Sequence, residues 1–130
     1  MSHFTKIKTS LIKKKELIEA LELLQYNVEI EQDLEITNPV HAEDHEVVRA
    51  EIALTNDIGF RWNKQDNSYD LYADHQTWSL DVPVKRFVEK VTQQYARMTI
   101  HNTVKEMGFI VDEEWEMDDN SIELTVSRWL

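Results

Sequence analysis

The chain has 130 residues, of which 42% are hydrophobic and 30% are charged, and its formal net charge is -11. This length predicts one domain with a single core, and no apolar run approaches the roughly 18 residues that cross a bilayer. The sequence has no cysteine, which excludes disulfides, thiolate nucleophiles and iron–sulfur ligation by this chain. The acidic excess argues against nucleic-acid binding through a general basic surface, and it suits a basic protein partner, a cation or solubility alone.

The first third of the chain predicts a strand, a helix and a second strand. Residues 2–9 alternate weakly, which favours a short first strand. A helix is expected from Lys14 to Gln25, and its apolar stripe consists of Leu17, Ala20, Leu21 and Leu24. Glu16, Glu19 and Glu22 are expected to face away from that stripe. Residues 28–36 then alternate between aliphatic and acidic side chains, which predicts a strand with an acidic outer face.

Three short runs between Val47 and His75 alternate with period two, and turns rich in Asn and Asp separate them. The apolar positions are Val48, Ala50, Ile52 and Leu54 in the first run, Ile58, Phe60 and Trp62 in the second, and Tyr69, Leu71 and Ala73 in the third. This pattern predicts an antiparallel meander with one face in water, and we expect the rest of the chain to be organised around it.

A long helix is expected from Pro83 to Met107, with Gly108 as its C-terminal cap. It carries two apolar stripes about half a turn apart. The first contains Val84, Phe87, Val88, Val91, Tyr95 and Met98, and the second contains Ala96, Ile100, Val104 and Met107. We favour a bend near Met98 or Thr99 that turns the second stripe onto the protein's own core. The alternative is that this stripe meets a second copy of the chain.

Two strands should close the chain, from Phe109 to Met117 and from Ile122 to Trp129, joined by a turn at residues 118–121. The predicted fold class is therefore α+β. It comprises an antiparallel sheet of about six or seven strands with a central meander, covered on one face by two main helices.

The segment His41-Ala-Glu-Asp-His45 is the most metal-like cluster in the sequence. Two imidazoles and two carboxylates within five residues are suitable ligands for zinc or a similar ion. Pro39 and the polar flanks favour an exposed loop, and we expect His41 and His45 to bind no metal.

A second candidate site lies where the meander ends. Asp74, His75 and Trp78 follow the last strand of the meander, and Asp57 and Arg61 lie on the neighbouring turn and strand. A carboxylate beside an imidazole is suited to general acid–base chemistry. No nucleophile motif or glycine-rich phosphate loop accompanies these residues, so we favour a structural role for them. Trp62 and Trp78 are expected to belong to the core, given the area that a tryptophan buries.

The acidic residues Asp112, Glu114, Glu116 and Asp118 alternate along the strand that follows the long helix. They resemble the acidic row of residues 29–35, and like charges would oppose each other if the two strands were neighbours. The structural interpretation is that water and lysines screen both rows. The functional interpretation is an acidic face that binds a basic partner.

Several segments resemble the hypothetical chloroplast reading-frame family numbered thirty-five, which is also catalogued as a domain of unknown function. The segments are Ser2-His3-Phe4 with Ile7-Lys8, residues 57–60, residues 69–74, Gln94-Tyr95-Ala96, Gly108-Phe109 and Arg128-Trp129. The resemblance extends over nearly the whole chain, and its specificity lies in the order and spacing of these segments. It implies a plastid stroma or a cyanobacterial cytoplasm and a link to photosynthetic physiology. It supplies no catalytic residues.

The function that we expect is a non-enzymatic interaction or accessory protein without a cofactor, acting through protein–protein contacts. The candidate contact residues are Asp57, Arg61, Asp74, His75, Trp78, Asp112, Glu114 and Glu116. We favour a monomer over a homodimer. The alternatives are a small enzyme or metal-binding protein that uses the Asp57, Asp74 and His75 region or the His41–His45 loop, and an acidic mimic of nucleic acid.

Overall fold

The computed structural model describes residues 4–37, 47–119 and 121–128. These residues form two helices and seven strands, which confirms the predicted α+β class. In chain order the elements are β1 (Thr5–Lys8), α1 (Lys14–Leu23), β2 (Glu29–Thr37), β3 (Val47–Thr55), β4 (Ile58–Asn63), β5 (Ser68–Ala73), α2 (Val84–Glu106), β6 (Phe109–Glu116) and β7 (Ile122–Arg128).

The strands divide between two antiparallel sheets rather than forming the single sheet expected from the sequence. Five strands form one sheet in the order β1-β5-β4-β3-β2, and β6 pairs with β7 alone. The central meander is β3–β4–β5, as predicted. A helix of this length extends about 34 Å, so the strands that follow α2 begin far from the place where it starts. They pair with each other as a separate C-terminal hairpin.

The core lies between one face of the five-stranded sheet and the two helices. The sheet contributes Ile52, Phe60 and Leu71, α1 contributes Leu17 and Leu21, and α2 contributes Phe87 and Val91. Trp62 and Trp78 pack against this cluster, as predicted. The Trp62 ring lies edge-on to Tyr69 at 5.0 Å between ring centroids, and the Trp78 ring lies edge-on to Phe87 at 5.4 Å.

Helix α2 supplies polar partners to α1. The Tyr95 hydroxyl accepts hydrogen bonds from the backbone N–H groups of Ile12 (3.2 Å) and Lys13 (3.0 Å) at the start of α1, where no side-chain cap is present. Glu16 is buried and accepts a hydrogen bond of 3.0 Å from Asn102 Nδ2. The expectation that Glu16 faces away was wrong, because the alternation of charge along α1 does not reveal that a second helix lies beside it.

The long helix is continuous from Val84 to Glu106. The helix is therefore not broken near Met98, where we expected a bend. Ile100 and Met107 of the second stripe remain exposed, Met107 with 64% of its surface, and Val104 is half-buried. Their expected burial in the protein's own core was therefore wrong for Ile100 and Met107. Gly108 ends the helix with a φ of +84°, a conformation that glycine adopts readily. Neither described helix is long and apolar enough to cross a membrane.

We expect Gly59→Ala to destabilise the fold by about 1–3 kcal/mol, because overpacking in a tightly packed sheet forces backbone shifts. A Cβ at Gly59 would lie 2.9 Å from the Ile52 carbonyl oxygen and 3.2 Å from Ala50 Cβ. Gly108→Asn is the control, because nothing lies within 4 Å of a Cβ there and Asn tolerates positive φ. Urea denaturation measures the free energy of unfolding of both variants. An equal loss of free energy in the two would contradict the packing argument.

Candidate interaction surface at the C-terminal hairpin

The hairpin has two chemically different faces. Trp115 pairs with Glu123 and Ile110 pairs with Ser127, so these residues share one face, which we call the outer face. A β-bulge between Val111 and Glu113 keeps this face aligned along both strands. Glu114 pairs with Leu124 on the opposite, inner face, which lies toward α2.

A polar cluster joins the inner face to the second half of α2. The Arg97 guanidinium donates two hydrogen bonds to the Glu114 carboxylate, one from Nε to Oε1 and one of 3.2 Å from Nη2 to Oε2. His101 Nε2 lies 3.1 Å from Glu114 Oε2, and Gln93 Nε2 donates to Glu116 Oε1 at 3.1 Å. These hydrogen bonds and charges link the inner face of the hairpin to the helix.

The electrostatics of this cluster favour the ionised carboxylate. The hydrogen bond from Arg97 holds the pKa of the Glu114 carboxyl below its usual value, and His101 adds to that effect, although burial of the carboxyl opposes it. Glu114 therefore stabilises the hairpin at pH values at which its carboxyl group is ionised.

The outer face combines exposed apolar area with negative charge. Trp115 is 46% exposed and Ile110 is 41% exposed. Glu113 and Glu123 share this face with Trp115, and the whole hairpin from Phe109 to Arg128 has seven acidic residues and one basic residue. Exposed aromatic side chains among charged residues are typical of protein contact surfaces.

A cleft of about 570 Å³ adjoins the hairpin where α2 turns into β6. Val104, Phe109, Ile110 and Val111 give it an apolar wall, and His101 and Lys105 lie at its polar side. Ile110 belongs to both the cleft and the outer face, so the two form one continuous surface.

The predicted acidic row on β6 is partly engaged within the protein. Besides the bonds to Glu114 and Glu116, the Ser127 hydroxyl donates to Asp112 Oδ1 at 3.0 Å. Glu114 is half-buried and faces α2, which makes it a positioning group rather than a contact for a partner. Strands β2 and β6 belong to different sheets, so their acidic rows are not neighbours.

The structure brings Asp57 and Asp74 together at the end of the five-stranded sheet. Both are buried, with 7% and 3% of their surface exposed. The Asp57 carboxylate accepts hydrogen bonds of 2.8 Å from the Thr55 and Thr77 hydroxyls. Asp74 Oδ1 accepts a hydrogen bond of 2.8 Å from the Gln76 backbone N–H. These bonds fix two turns.

The other sequence-based candidates are dispersed. His75 is exposed, and the Trp78 indole donates a 2.7 Å hydrogen bond to the Val82 carbonyl while its ring packs on the core. Arg61 lies on the face of the sheet opposite the helices, beside Asp70 in the register. His41 and His45 lie outside the described residues.

Sequence analysis missed the residues of α2 that hold the hairpin. Gln93, Arg97 and His101 recur at every fourth position and so form one polar stripe along a helix. That stripe was visible in the sequence, but apolar spacing was given priority in interpreting the helix.

Comparison with known proteins assigns this chain to a family. A family model described as "Protein of unknown function (DUF1257)" matches residues 20–125. The chain belongs to the DUF1257 family. Its relatives include proteins named "Uncharacterized protein ycf35" from Pyropia yezoensis (33% identical), Guillardia theta (34%) and Cyanophora paradoxa (30%), and each comparison covers 99% of this chain and 98% of the relative.

These names confirm the resemblance to the chloroplast reading-frame family that the sequence segments indicated. The relatives are ycf35 proteins of algal plastid genomes. No solved structure matches the chain.

We expect Glu114→Gln to loosen the hairpin by about 1 kcal/mol, a modest value because the charged groups are partly open to solvent. Amide hydrogen exchange in β6 and β7 should accelerate roughly fivefold at neutral pH while exchange in β5 stays unchanged. Because the folded pKa of Glu114 is lowered, its contribution is complete above the unfolded pKa and is lost as pH falls through the folded one. The difference in hydrogen-exchange rate between the variant and the wild type should therefore become smaller at acidic pH.

Glu123→Gln is the matched control for this measurement, because Glu123 is an exposed carboxylate on the paired strand. An equal acceleration of exchange in the two variants would show that net charge, and not the bonds from Arg97 and His101, controls the hairpin.

We expect Asp57→Ala to lower the free energy of unfolding by about 2 kcal/mol, because two threonine hydroxyls lose their acceptor. His75→Ala, at an exposed position, should change it by less than about 0.5 kcal/mol. Urea denaturation distinguishes the two, and a neutral Asp57→Ala would contradict the structural role assigned to this carboxylate.

Proposed function

We propose that this chain is a non-enzymatic protein-binding module and that its partner contacts the outer face of the hairpin and the adjoining cleft. The observation that carries the proposal is Trp115, a large aromatic side chain that is half-exposed on a strand bearing several carboxylates. Buried tryptophans contribute disproportionately to binding energy at protein interfaces.

The charge of the surface determines which partner it would accept. The acidic residues around Trp115 favour a protein segment that presents an apolar side chain flanked by lysine or arginine. Opposite charges at the rim accelerate association and are screened by salt, so the affinity should fall as ionic strength rises.

The turn-forming bonds of Asp57 and Asp74 support the non-enzymatic character of the proposal. Each carboxylate already accepts hydrogen bonds from neighbouring residues, and these bonds hold turns at the end of the sheet. The alternative of a nucleic-acid mimic is less well supported, because Lys6, Arg61 and Lys64 line the open face of the five-stranded sheet.

The proposed setting is the plastid stroma or the cyanobacterial cytoplasm, in a process connected with photosynthesis. Its support is the algal plastid origin of the relatives. We propose a monomer, with the exposed Ile100 and Met107 available to the same partner.

The test begins with affinity capture from an extract of a cyanobacterium, followed by purification of the captured protein and binding measurements with it. Trp115→Ala should weaken that purified complex about tenfold or more. Raising salt from about 50 mM to about 500 mM should weaken it further.

Val47→Ala is the control, since Val47 is an equally exposed apolar residue on β3, in the five-stranded sheet. A complex that tolerates Trp115→Ala as well as Val47→Ala would refute the proposed contact surface. Turnover of a small metabolite that Asp74→Ala abolishes without unfolding the chain would replace the proposal with the enzyme alternative.

A further inference from the structure

A row of charged side chains crosses the face of the five-stranded sheet that the helices leave open. Asp70 on β5 pairs with Lys8 on β1 and with Arg61 on β4, so the three side chains share that face. Asp70 is nevertheless only 2% exposed. A carboxylate at the centre of this open face is therefore almost completely removed from water.

The two oxygens of Asp70 have different environments. Oδ2 accepts a hydrogen bond of 3.0 Å from Asn63 Nδ2, which ties it to the turn between β4 and β5. Oδ1 is buried and has no hydrogen-bond partner within the part of the chain that the structure describes. An unsatisfied buried acceptor is costly, and a charged one more so, which makes this oxygen a candidate for binding a donor from outside the chain.

Asp70 lines a cavity of about 460 Å³ together with three cationic side chains, Lys6, Arg61 and Lys64. None of these three cations forms an ion pair with another described residue. The nearby Lys8, in contrast, lies 3.5 Å from Asp66 Oδ2. Three cations facing one carboxylate give the cavity a net charge that matches a doubly charged anion.

Asn63 and Tyr72 also line the cavity and supply further polar atoms, whereas the Trp62 ring packs on the core on the other face of the sheet. A volume of this size lies in the range of small-molecule sites. The lysines and Arg61 are exposed and long, so their side chains can rearrange around a ligand while the strands beneath them stay fixed.

We propose that this cavity binds a phosphorylated polyol. The phosphate monoester, which carries nearly two negative charges at neutral pH, contacts Lys6, Arg61 and Lys64. A hydroxyl of the same ligand donates its hydrogen bond to Asp70 Oδ1. The cations provide the affinity, and the buried carboxylate oxygen selects an anion that also carries a donor. This site lies on the main sheet, so it is independent of the hairpin surface proposed above.

The experiment titrates the full chain with glucose 6-phosphate, inorganic phosphate and glucose at low salt, followed by calorimetry and by amide chemical shifts. We expect glucose 6-phosphate to bind with a Kd of about 1 mM or below. Inorganic phosphate should bind about tenfold more weakly, because its only hydroxyls belong to the charged group that the cations hold, and glucose should not bind measurably, because it carries no charge. Shifts should concentrate on β1, β4 and β5.

Two variants separate the roles within the cavity. Arg61→Gln should weaken the binding of glucose 6-phosphate about tenfold. Lys85→Gln, which removes an exposed cation from α2, should leave this affinity unchanged. Asp70→Asn should abolish the preference for glucose 6-phosphate over inorganic phosphate. If Asp70→Asn does not fold, the wild-type preference and the Arg61→Gln result still test the proposal.

Three results would overturn it. Absence of saturable binding by glucose 6-phosphate would exclude the site. Equal binding of inorganic phosphate and glucose 6-phosphate by the wild type would show an adventitious anion only. Binding that Arg61→Gln and Lys85→Gln reduce equally would show a general charge effect rather than this cavity.

Discussion

The structure depends on a helix that is longer than the core it covers. Phe87 and Val91, in the first half of α2, are buried against the five-stranded sheet, and Tyr95 marks the point where the helix supports the start of α1. Beyond Tyr95, α2 contacts α1 through Asn102 and the hairpin through Arg97 and His101. One helix therefore stabilises the main core and also carries the last two strands.

The hairpin depends on α2 for support, while its outer face stays exposed. An isolated two-stranded sheet is marginally stable in water, so it requires support from a neighbouring element. Here the hydrogen bonds to Glu114 and Glu116 provide that support on the inner face. Strand alternation places Trp115 on the opposite, outer face, where 46% of its surface is exposed.

Much of the fold could be predicted because its periodicities are strong. Period-two alternation identified β3, β4 and β5, and helical spacing identified the buried stripe around Phe87 and Val91. The separation of the two sheets could not be predicted, since alternation shows which residues share a face but not which strand pairs with which. The burial of Glu16 could not be predicted either, since its charge suggested exposure although α2 covers it. The residues of the candidate surface were recognised only in part, because Glu114 was interpreted without its helical partners.

The most direct test of this account is the stability of a chain that ends at Gly108 and therefore lacks the hairpin. If the sheet, α1 and α2 form the cooperative core, urea denaturation should show a single transition. Its free energy of unfolding should lie within about 2 kcal/mol of that of the full chain, because few core contacts are lost. A shortened chain that is unfolded in the absence of urea would contradict the account, since it would make the hairpin part of the core and not an attached contact surface.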